Sequence, residues 1–187
     1  MSYTRLAAPV LLVSLLVPSA FAHMNSFSYA EIEVGAEKID YELRVDVLTL
    51  VELFQMDRNG DWVIDDDEVT QTWQMLFYYL KNKIKVLCGG RQLPLDLRSV
   101  KYSKEPQPHV RINMRFTCPT SDEECVMFCN VSEETDPFHR SISLVKIGDE
   151  EYQFVFTNQN YLTVPAAMRE AAASGTVSSA TEQEEGN

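Results

Sequence analysis

The sequence has few basic residues and carries none of the common catalytic motifs. It contains 16 Lys and Arg residues against 28 Asp and Glu residues, which gives a formal net charge of −12 at pH 7. Binding to nucleic acid relies on Lys and Arg to neutralise phosphates, so this balance predicts no nucleic-acid partner. The chain also lacks a Gly-x-Ser-x-Gly nucleophile turn and a phosphate-binding glycine loop. We therefore predict that the protein is not an enzyme.

Long hydrophobic runs are also scarce, and the one that stands out lies at the start of the chain. Residues 1–22 place Arg5 before an apolar run over 7–17 and end on small residues at Ala22, which is typical of a cleavable export signal. Cleavage would leave His23 as the N-terminus and change the formal net charge from −12 to −13. The alternative is an uncleaved anchor, although the run is short for a membrane span. We expect a periplasmic or secreted mature chain without stable membrane insertion.

An acidic stretch of twelve residues, 57–68, has oxygen-bearing side chains at its first, third, fifth, ninth and twelfth positions. Calcium takes roughly six to eight oxygen ligands, and an EF-hand loop supplies them at this spacing, ending in a bidentate Glu. The sequence therefore predicts a site for one calcium ion; the alternative is a solvated acidic turn between two helices. The predicted ligands, with Val63 contributing its backbone carbonyl, are Asp57, Asn59, Asp61, Val63, Asp65 and Glu68.

This stretch resembles the EF-hand family over residues 46–81, because apolar residues recur at helical spacing on both sides of the loop. Ile64 stands at the eighth position of the loop, where the family has an apolar anchor. The sixth position departs from the family: Trp62 replaces the usual Gly, and a bulky residue with φ > 0 costs about 1–2 kcal/mol. EF-hands usually occur in pairs, whereas no second loop of this spacing occurs in the chain.

Alternating apolar and polar residues predict β-strands on both sides of the helix-loop-helix. The alternation runs through 29–34 and 39–45, which predicts a β-hairpin with one buried face, and it recurs over 110–116. Further short strands bring the predicted total to eight or nine. We therefore predict an α+β domain over 23–164: a mostly antiparallel β-sandwich with an EF-hand-like helix-loop-helix inserted at 46–81.

The composition changes at Pro165. Small and polar residues predominate after it, and the larger apolar residues that follow are Met168 and Val177. Such a segment buries too little apolar surface to offset the entropy of folding, so we predict a disordered tail over 165–187. A short helix over 165–173 is the alternative.

Several short motifs follow one another across residues 23–157: His23, the segment 26–32, the EF-hand-like insertion, Cys88, Phe116-Thr117-Cys118-Pro119 and Asp136-Pro137-Phe138-His139-Arg140. Their order is similar to that in the exported N-terminal domain of the hydrogenase and urease accessory membrane protein family. That family is linked to nickel or cobalt uptake, and its members carry a bundle of transmembrane helices after this domain. The sequence here contains no such bundle, which is expected of either a stand-alone relative or a fragment. The resemblance therefore does not imply that this chain transports metal.

A processed N-terminus at His23 suggests a second metal site. An N-terminal His can chelate copper or nickel through its α-amino group and imidazole, and His139 or His109 with Met24 would complete a borderline or soft site. The alternative is that His23 is simply the residue after the cleavage point and His139 a hydrogen-bonded turn residue.

An even number of cysteines, four, in an exported chain predicts two disulfides. A four-thiolate zinc site is the rival, but its usual Cys-x-x-Cys pairs are missing. The family-like Cys-Pro motif and a position near a strand end favour a Cys88–Cys118 bridge. Cys125 and Cys129 would then lie about 13 Å apart in one extended strand, too far to bond. Either the chain coils locally there, or the pairs are Cys118–Cys125 and Cys88–Cys129.

Two functions follow from these patterns. The first is an exported calcium-binding domain with a structural or sensing role. The second is an accessory protein that binds copper, nickel or cobalt through the processed His23. The sequence identifies no protein partner at the cell envelope.

Overall fold

The computed structural model describes residues 27–174, which form three helices and two β-sheets. The predicted signal peptide over 1–22 and His23 lie outside the described residues. In chain order the elements are β1 (Phe27–Val34), β2 (Lys38–Asp46), α1 (Val47–Phe54), α2 (Asp66–Lys83), β3 (Ile84–Cys88), β4 (Arg91–Gln92), β5 (Leu95–Ser103), β6 (His109–Thr117), β7 (Cys125–Cys129), β8 (Arg140–Ile147), β9 (Glu150–Phe156), β10 (Leu162–Val164) and α3 (Ala166–Ser174).

The larger sheet has six strands in the order β5-β6-β2-β1-β8-β9. The predicted hairpin is present: β1 and β2 are antiparallel, with Ala30 opposite Leu43, and the turn closes through a hydrogen bond from the Gly35 N–H to the Lys38 carbonyl at 2.9 Å. Alternate residues of both strands are buried, as the period of two predicts. The pairing of β1 with β8 is parallel, while the other pairs of this sheet are antiparallel.

The smaller sheet has four strands in the order β10-β7-β3-β4, all paired antiparallel. Its central pair sets Val86 opposite Met127 and Cys88 opposite Cys125. The buried apolar residues of both sheets and of α1 and α2 belong to one core cluster. The prediction of a mixed, mostly antiparallel α+β fold is therefore confirmed.

The two helices between β2 and β3 have well-defined starts. Asp46 caps α1 by accepting a hydrogen bond from the Thr49 N–H at 2.7 Å. Asp65 caps α2, and with Glu68 it forms a capping box. The second helix runs directly into β3, so the helical segment connects the larger sheet to the smaller one.

The start of the predicted disordered tail is a helix. The composition of 165–187 predicts disorder, but residues Ala166–Ser174 form α3, close to the alternative of a helix over 165–173. The reason is Arg169, which is fully buried and donates hydrogen bonds to the carbonyls of Ala36, Thr120 and Glu123 at 2.6–2.7 Å. These bonds attach the helix to the body of the domain, and residues 175–187 lie outside the described part.

No helix within residues 27–174 is long and apolar enough to cross a membrane.

Candidate functional site

The acidic loop is held between the two helices by buried apolar residues. Met56, just after α1, is fully buried, and Ile64 is buried at the eighth position of the loop, where the sequence predicts an apolar anchor. Between these anchors the residues from Arg58 to Val63 are exposed. The loop is therefore fixed at both ends and open to solvent in its middle.

Asp57, the first predicted ligand, organises the first half of the loop. One carboxylate oxygen accepts hydrogen bonds from the N–H groups of Gly60 at 2.8 Å and Asp61 at 3.2 Å, and the other accepts from Trp62 at 2.9 Å. Asn59 Oδ1 accepts from the Asp61 N–H at 2.8 Å. The backbone thus curls around the Asp57 carboxylate, and bonds to a charged acceptor of this kind are among the stronger ones.

Glu68, the last predicted ligand, joins the two ends of the loop. Its side chain is only 4 % exposed. Oε1 accepts from the Arg58 N–H at 2.7 Å and the Asn59 N–H at 3.4 Å, while Oε2 accepts from the Asp65 N–H at 3.2 Å. Asp65 Oδ1 in turn accepts from the Glu68 N–H at 2.8 Å. A carboxylate on the first turn of α2 therefore closes the loop onto its own beginning.

The sixth position has the backbone conformation that the EF-hand pattern predicts. Trp62 has φ 62°, in the left-handed region that favours glycine. Trp62 is 55 % exposed, so packing of the ring can offset the strain only in part.

The six predicted ligands lie in one closed loop, but their carboxylates bind backbone N–H groups and do not meet at a point. Asp61 accepts from the Val63 N–H at 2.8 Å and also from the Asn59 side-chain amide at 3.1 Å. Among the described residues, no three carboxylates of this loop have oxygens within 4.8 Å of one another. Each carboxylate oxygen nevertheless has more than one lone pair, so the donor set has the chemistry that calcium requires.

Each of the two described histidines has a ring nitrogen within hydrogen-bond distance of an oxygen atom of the protein. His139 is buried, and its Nε2 lies 3.0 Å from Ser28 Oγ. Burial lowers the pKa of this imidazole, an effect that the charges of Asp136 and Asp46 partly oppose. His109 Nδ1 lies 2.7 Å from the Gln107 carbonyl.

Strand register brings both histidines to one end of the larger sheet. His109 opens β6 and lies opposite Asp46, the last residue of β2. Arg140, which follows His139, opens β8 opposite Phe27, the first residue of β1. The start of β1 therefore lies at the same end of the sheet as both histidines. His23, four residues before Phe27, is outside the described part of the chain.

The predicted cysteine pairings are wrong. The disulfide joins Cys88 to Cys125, whose Cα atoms lie 4.2 Å apart across β3 and β7, while Cys118 and Cys129 are free and buried. Neither Cys88–Cys118 nor the set Cys118–Cys125 and Cys88–Cys129 is present. The register explains the difference, because Cys129 lies opposite Ile84 at the far end of the same strand pair.

A buried polar chain links the free Cys129 to His139, and the prediction from sequence missed it. Cys129 Sγ lies 3.3 Å from Ser141 Oγ, Ser141 lies 2.5 Å from Ser28 Oγ, and Ser28 reaches His139. One sequence signal could have indicated it. Ser28 and Ser141 stand at inward positions of β1 and β8, where these strands also bury apolar residues, and a buried hydroxyl needs a hydrogen-bond partner.

No protein-family model matches the chain, and no curated protein matches it either.

Proposed function

We propose that the protein is an exported calcium-binding domain whose acidic loop, 57–68, holds one calcium ion between α1 and α2. The observation that carries this proposal is the position of Glu68. It is a nearly buried carboxylate on the first turn of α2 that bonds to Arg58 at the opposite end of the loop. Burial of a charge is costly unless the charge is bound, and a carboxylate held at the twelfth position, where both ends of the loop meet, is what a bidentate calcium ligand requires.

The backbone of the loop supports the same reading. The left-handed conformation of Trp62 and the bonds around Asp57 give the sharp turn that a twelve-residue calcium loop needs. Asp57, Asn59, Asp61, Asp65 and Glu68 would hold the ion through side-chain oxygens, and Val63 through its carbonyl. Bound calcium would offset the repulsion between these carboxylates and tie the start of α2 to the end of α1. That chemistry suits a structural role or a calcium-sensing role.

The proposed location is outside the cytoplasm. A disulfide persists in oxidising compartments, and the Cys88–Cys125 bond supports such a setting. The predicted signal over 1–22 is the sequence basis for export. The likeness to the exported domain of the hydrogenase and urease accessory family fits this location and stays part of the proposal.

Calcium titration calorimetry on three matched proteins tests the proposal. The wild type should bind one calcium ion, and Glu68→Gln should lose at least tenfold in affinity because a neutral amide replaces the bidentate carboxylate. Asp67→Asn is the control: it removes one negative charge from the same helical turn at an exposed position that is not a predicted ligand. We expect Asp67→Asn to stay within about threefold of wild type.

Two results would overturn the calcium proposal. One is equal weakening by Asp67→Asn and Glu68→Gln, which would mean that only the net charge of the loop matters. The other is a wild type that binds no calcium at millimolar concentration, together with a Glu68→Gln melting temperature that matches wild type with and without calcium. In that case the loop is an acidic turn.

A second candidate function is the binding of copper, nickel or cobalt at the processed N-terminus. It is favoured by the register that brings His109, His139 and the start of β1 to one end of the larger sheet. Nickel and copper titrations of a chain starting at His23 and of a chain with one extra residue ahead of it test the idea. Tight binding should need the free α-amino group of His23, so equal binding by both chains would reject it.

A further inference from the structure

Three buried sulfur atoms meet where the two sheets come together. Cys88 and Cys125 form the disulfide across β3 and β7, and Cys118 follows the end of β6 in the larger sheet. The three Sγ atoms all lie within 4.8 Å of one another, and all three residues are buried. A free thiol therefore lies beside a disulfide, with the positions of both fixed by the fold.

The free thiol is held in place by its backbone and by the neighbouring loop. The Cys118 N–H donates to the Glu37 carbonyl at 2.8 Å, which ties it to the start of β2. Arg169 of α3 binds the carbonyls of Thr120 and Glu123 on the loop that connects Cys118 to β7. These contacts keep the thiol next to the disulfide.

Arg169 also supplies the charge of the site. Its side chain is fully buried, its hydrogen bonds go to three backbone carbonyls, and its Nε has no hydrogen-bond partner among the described residues. Its positive charge interacts with the Cys118 thiol and with the carboxylate of the exposed residue Asp122. Burial raises the pKa of the Cys118 thiol, and Arg169 opposes this by favouring the thiolate.

The other ionisable groups near the site lie on the side of Cys88. Glu123 packs against the turn that follows Cys88, where a Cβ added to Gly89 would lie 2.5 Å from its carboxylate, and Arg91 pairs with it at 3.0 Å. On this side the Glu123 carboxylate is therefore paired with Arg91, while Arg169 is the cation that acts on Cys118.

We propose that Cys88, Cys118 and Cys125 form a thiol–disulfide exchange site in which the disulfide can pass among the three cysteines. The Cys118 thiol gives up its proton, and the thiolate attacks one sulfur of the Cys88–Cys125 bond. Attack on Cys125 forms a Cys118–Cys125 bond, breaks the Cys88–Cys125 bond and leaves the electron pair on Cys88, which takes up a proton. Attack on Cys88 frees Cys125 in the same way. The numbers of thiols and disulfides are unchanged, so the step needs no oxidant or reductant.

A metal site made of the same three sulfurs is the less favoured reading. In the disulfide form Cys88 and Cys125 offer no thiolates, and the buried charge of Arg169 opposes a cation beside Cys118 while it favours an anionic sulfur. The exchange site is independent of the calcium loop, so either assignment can fail without affecting the other.

Single serine variants test whether any two of the three cysteines can bond. We expect Cys88→Ser to form a Cys118–Cys125 disulfide and Cys125→Ser to form a Cys88–Cys118 disulfide, each seen by non-reducing peptide mapping after an acid quench. Cys118→Ser should keep Cys88–Cys125. Cys129→Ser is the matched control, since it removes the other buried thiol, and it should leave the native pairing unchanged. Free thiols at both remaining positions of Cys88→Ser and Cys125→Ser would overturn the proposal.

The wild-type protein provides a test that does not depend on a variant that folds. The native chain is incubated at pH 7 to 9, quenched in acid, unfolded, and alkylated under conditions that suppress further exchange. Label should appear on Cys118 and Cys129, with a smaller fraction on Cys88 or Cys125 that is absent from Cys118→Ser. Label confined to Cys118 and Cys129 at every pH would reject exchange.

The role of Arg169 as a positioning residue has its own readout. Arg169→Met should move the pH dependence of exchange upward and slow exchange about tenfold at pH 7, whereas Arg169→Lys keeps a cation and should restore part of the rate. If both variants exchanged at the wild-type rate while melting at a lower temperature, Arg169 would be structural only. If Arg169→Met loses its near-UV circular dichroism, the neutral Arg169→Gln takes its place, and exchange by Arg169→Gln with the wild-type pH profile rejects the role.

Discussion

The ring of Tyr79 packs edge-on against the ring of Phe54, with centroids 5.1 Å apart and an interplanar angle of 82°. This contact joins α2 to α1 on either side of the acidic loop. The Tyr79 hydroxyl also accepts a hydrogen bond from the Ser132 N–H at 2.6 Å, so the helix pair is tied to the segment that follows β7. The helix pair that flanks the acidic loop is therefore linked to the segment after β7 through Tyr79, in addition to the ion pairs of Lys83 with Glu133 and Glu134.

Removal of the Tyr79 hydroxyl should weaken this link without disturbing the ring contact. We expect Tyr79→Phe to lower the free energy of unfolding by about 1–2 kcal/mol, because the N–H of the buried residue Ser132 loses its acceptor. Urea denaturation measures the change. Tyr78→Phe is the matched control: the neighbouring ring is 54 % exposed, and its loss of hydroxyl should change stability by less than about 0.5 kcal/mol. Equal effects of the two variants would contradict the coupling.

Substitution of Trp62 by glycine should stabilise the loop. Relief of the left-handed strain predicts a gain of about 1 kcal/mol in the calcium-free protein, and an increase in calcium affinity of up to about tenfold. Gly60→Ala is the opposing control, since Gly60 has φ 77° and open space around it, so only strain is added. Thermal melts and calorimetry on both variants decide the sign. A less stable Trp62→Gly would show that the indole contributes more by packing than it costs in strain.

The lowered pKa of His139 predicts acid-sensitive stability. Its ordinary value is 6.5; because burial disfavours the imidazolium, the unfolded chain binds the proton more readily below that pH. The stabilising contribution is therefore complete above pH 6.5 and is lost as the pH falls below it. Denaturation measurements between pH 7.5 and 5.5 should show that the free energy of unfolding of wild type falls as the pH falls, while that of His139→Gln stays nearly constant.

The pH window separates His139 from the carboxylates. Asp40 and Glu134 have pKa values lowered from 3.8 and 4.5, so their contributions are lost only at lower pH. His109→Gln, at the same end of the sheet, is the control and should keep the wild-type slope. A His139→Gln protein as acid-sensitive as wild type would show that another group titrates.

Local patterns predicted the elements that depend on neighbouring residues. The alternation over 29–34 and 39–45 predicted β1 and β2, and the apolar spacing around the loop predicted α1 and α2, because each pattern follows from one buried face. The special backbone at Trp62 was predicted from its position in the loop alone. These features need no knowledge of the rest of the chain.

Features set by distant residues were not predicted. The bond between Cys88 and Cys125 depends on the register of β3 against β7, which the packed sheet determines. The helix at Ala166–Ser174 depends on Arg169 reaching carbonyls at Ala36 and Thr120, which its own small, polar neighbours do not indicate. The convergence of Cys118 on the disulfide has the same origin, since it requires both sheets to be in place.

The parallel pairing of β1 with β8 has a consequence for how the chain is made. Phe27 pairs with Arg140 and Val34 with Ile147. The first described strand is therefore an interior strand of its sheet, and one of its two partner strands follows more than a hundred residues later in the chain. As the chain is synthesised, the β1–β2 hairpin can form early, but its other edge stays unpaired until β8 has emerged. Such an edge is open to pairing with other chains, and the protein is most vulnerable to aggregation during that interval.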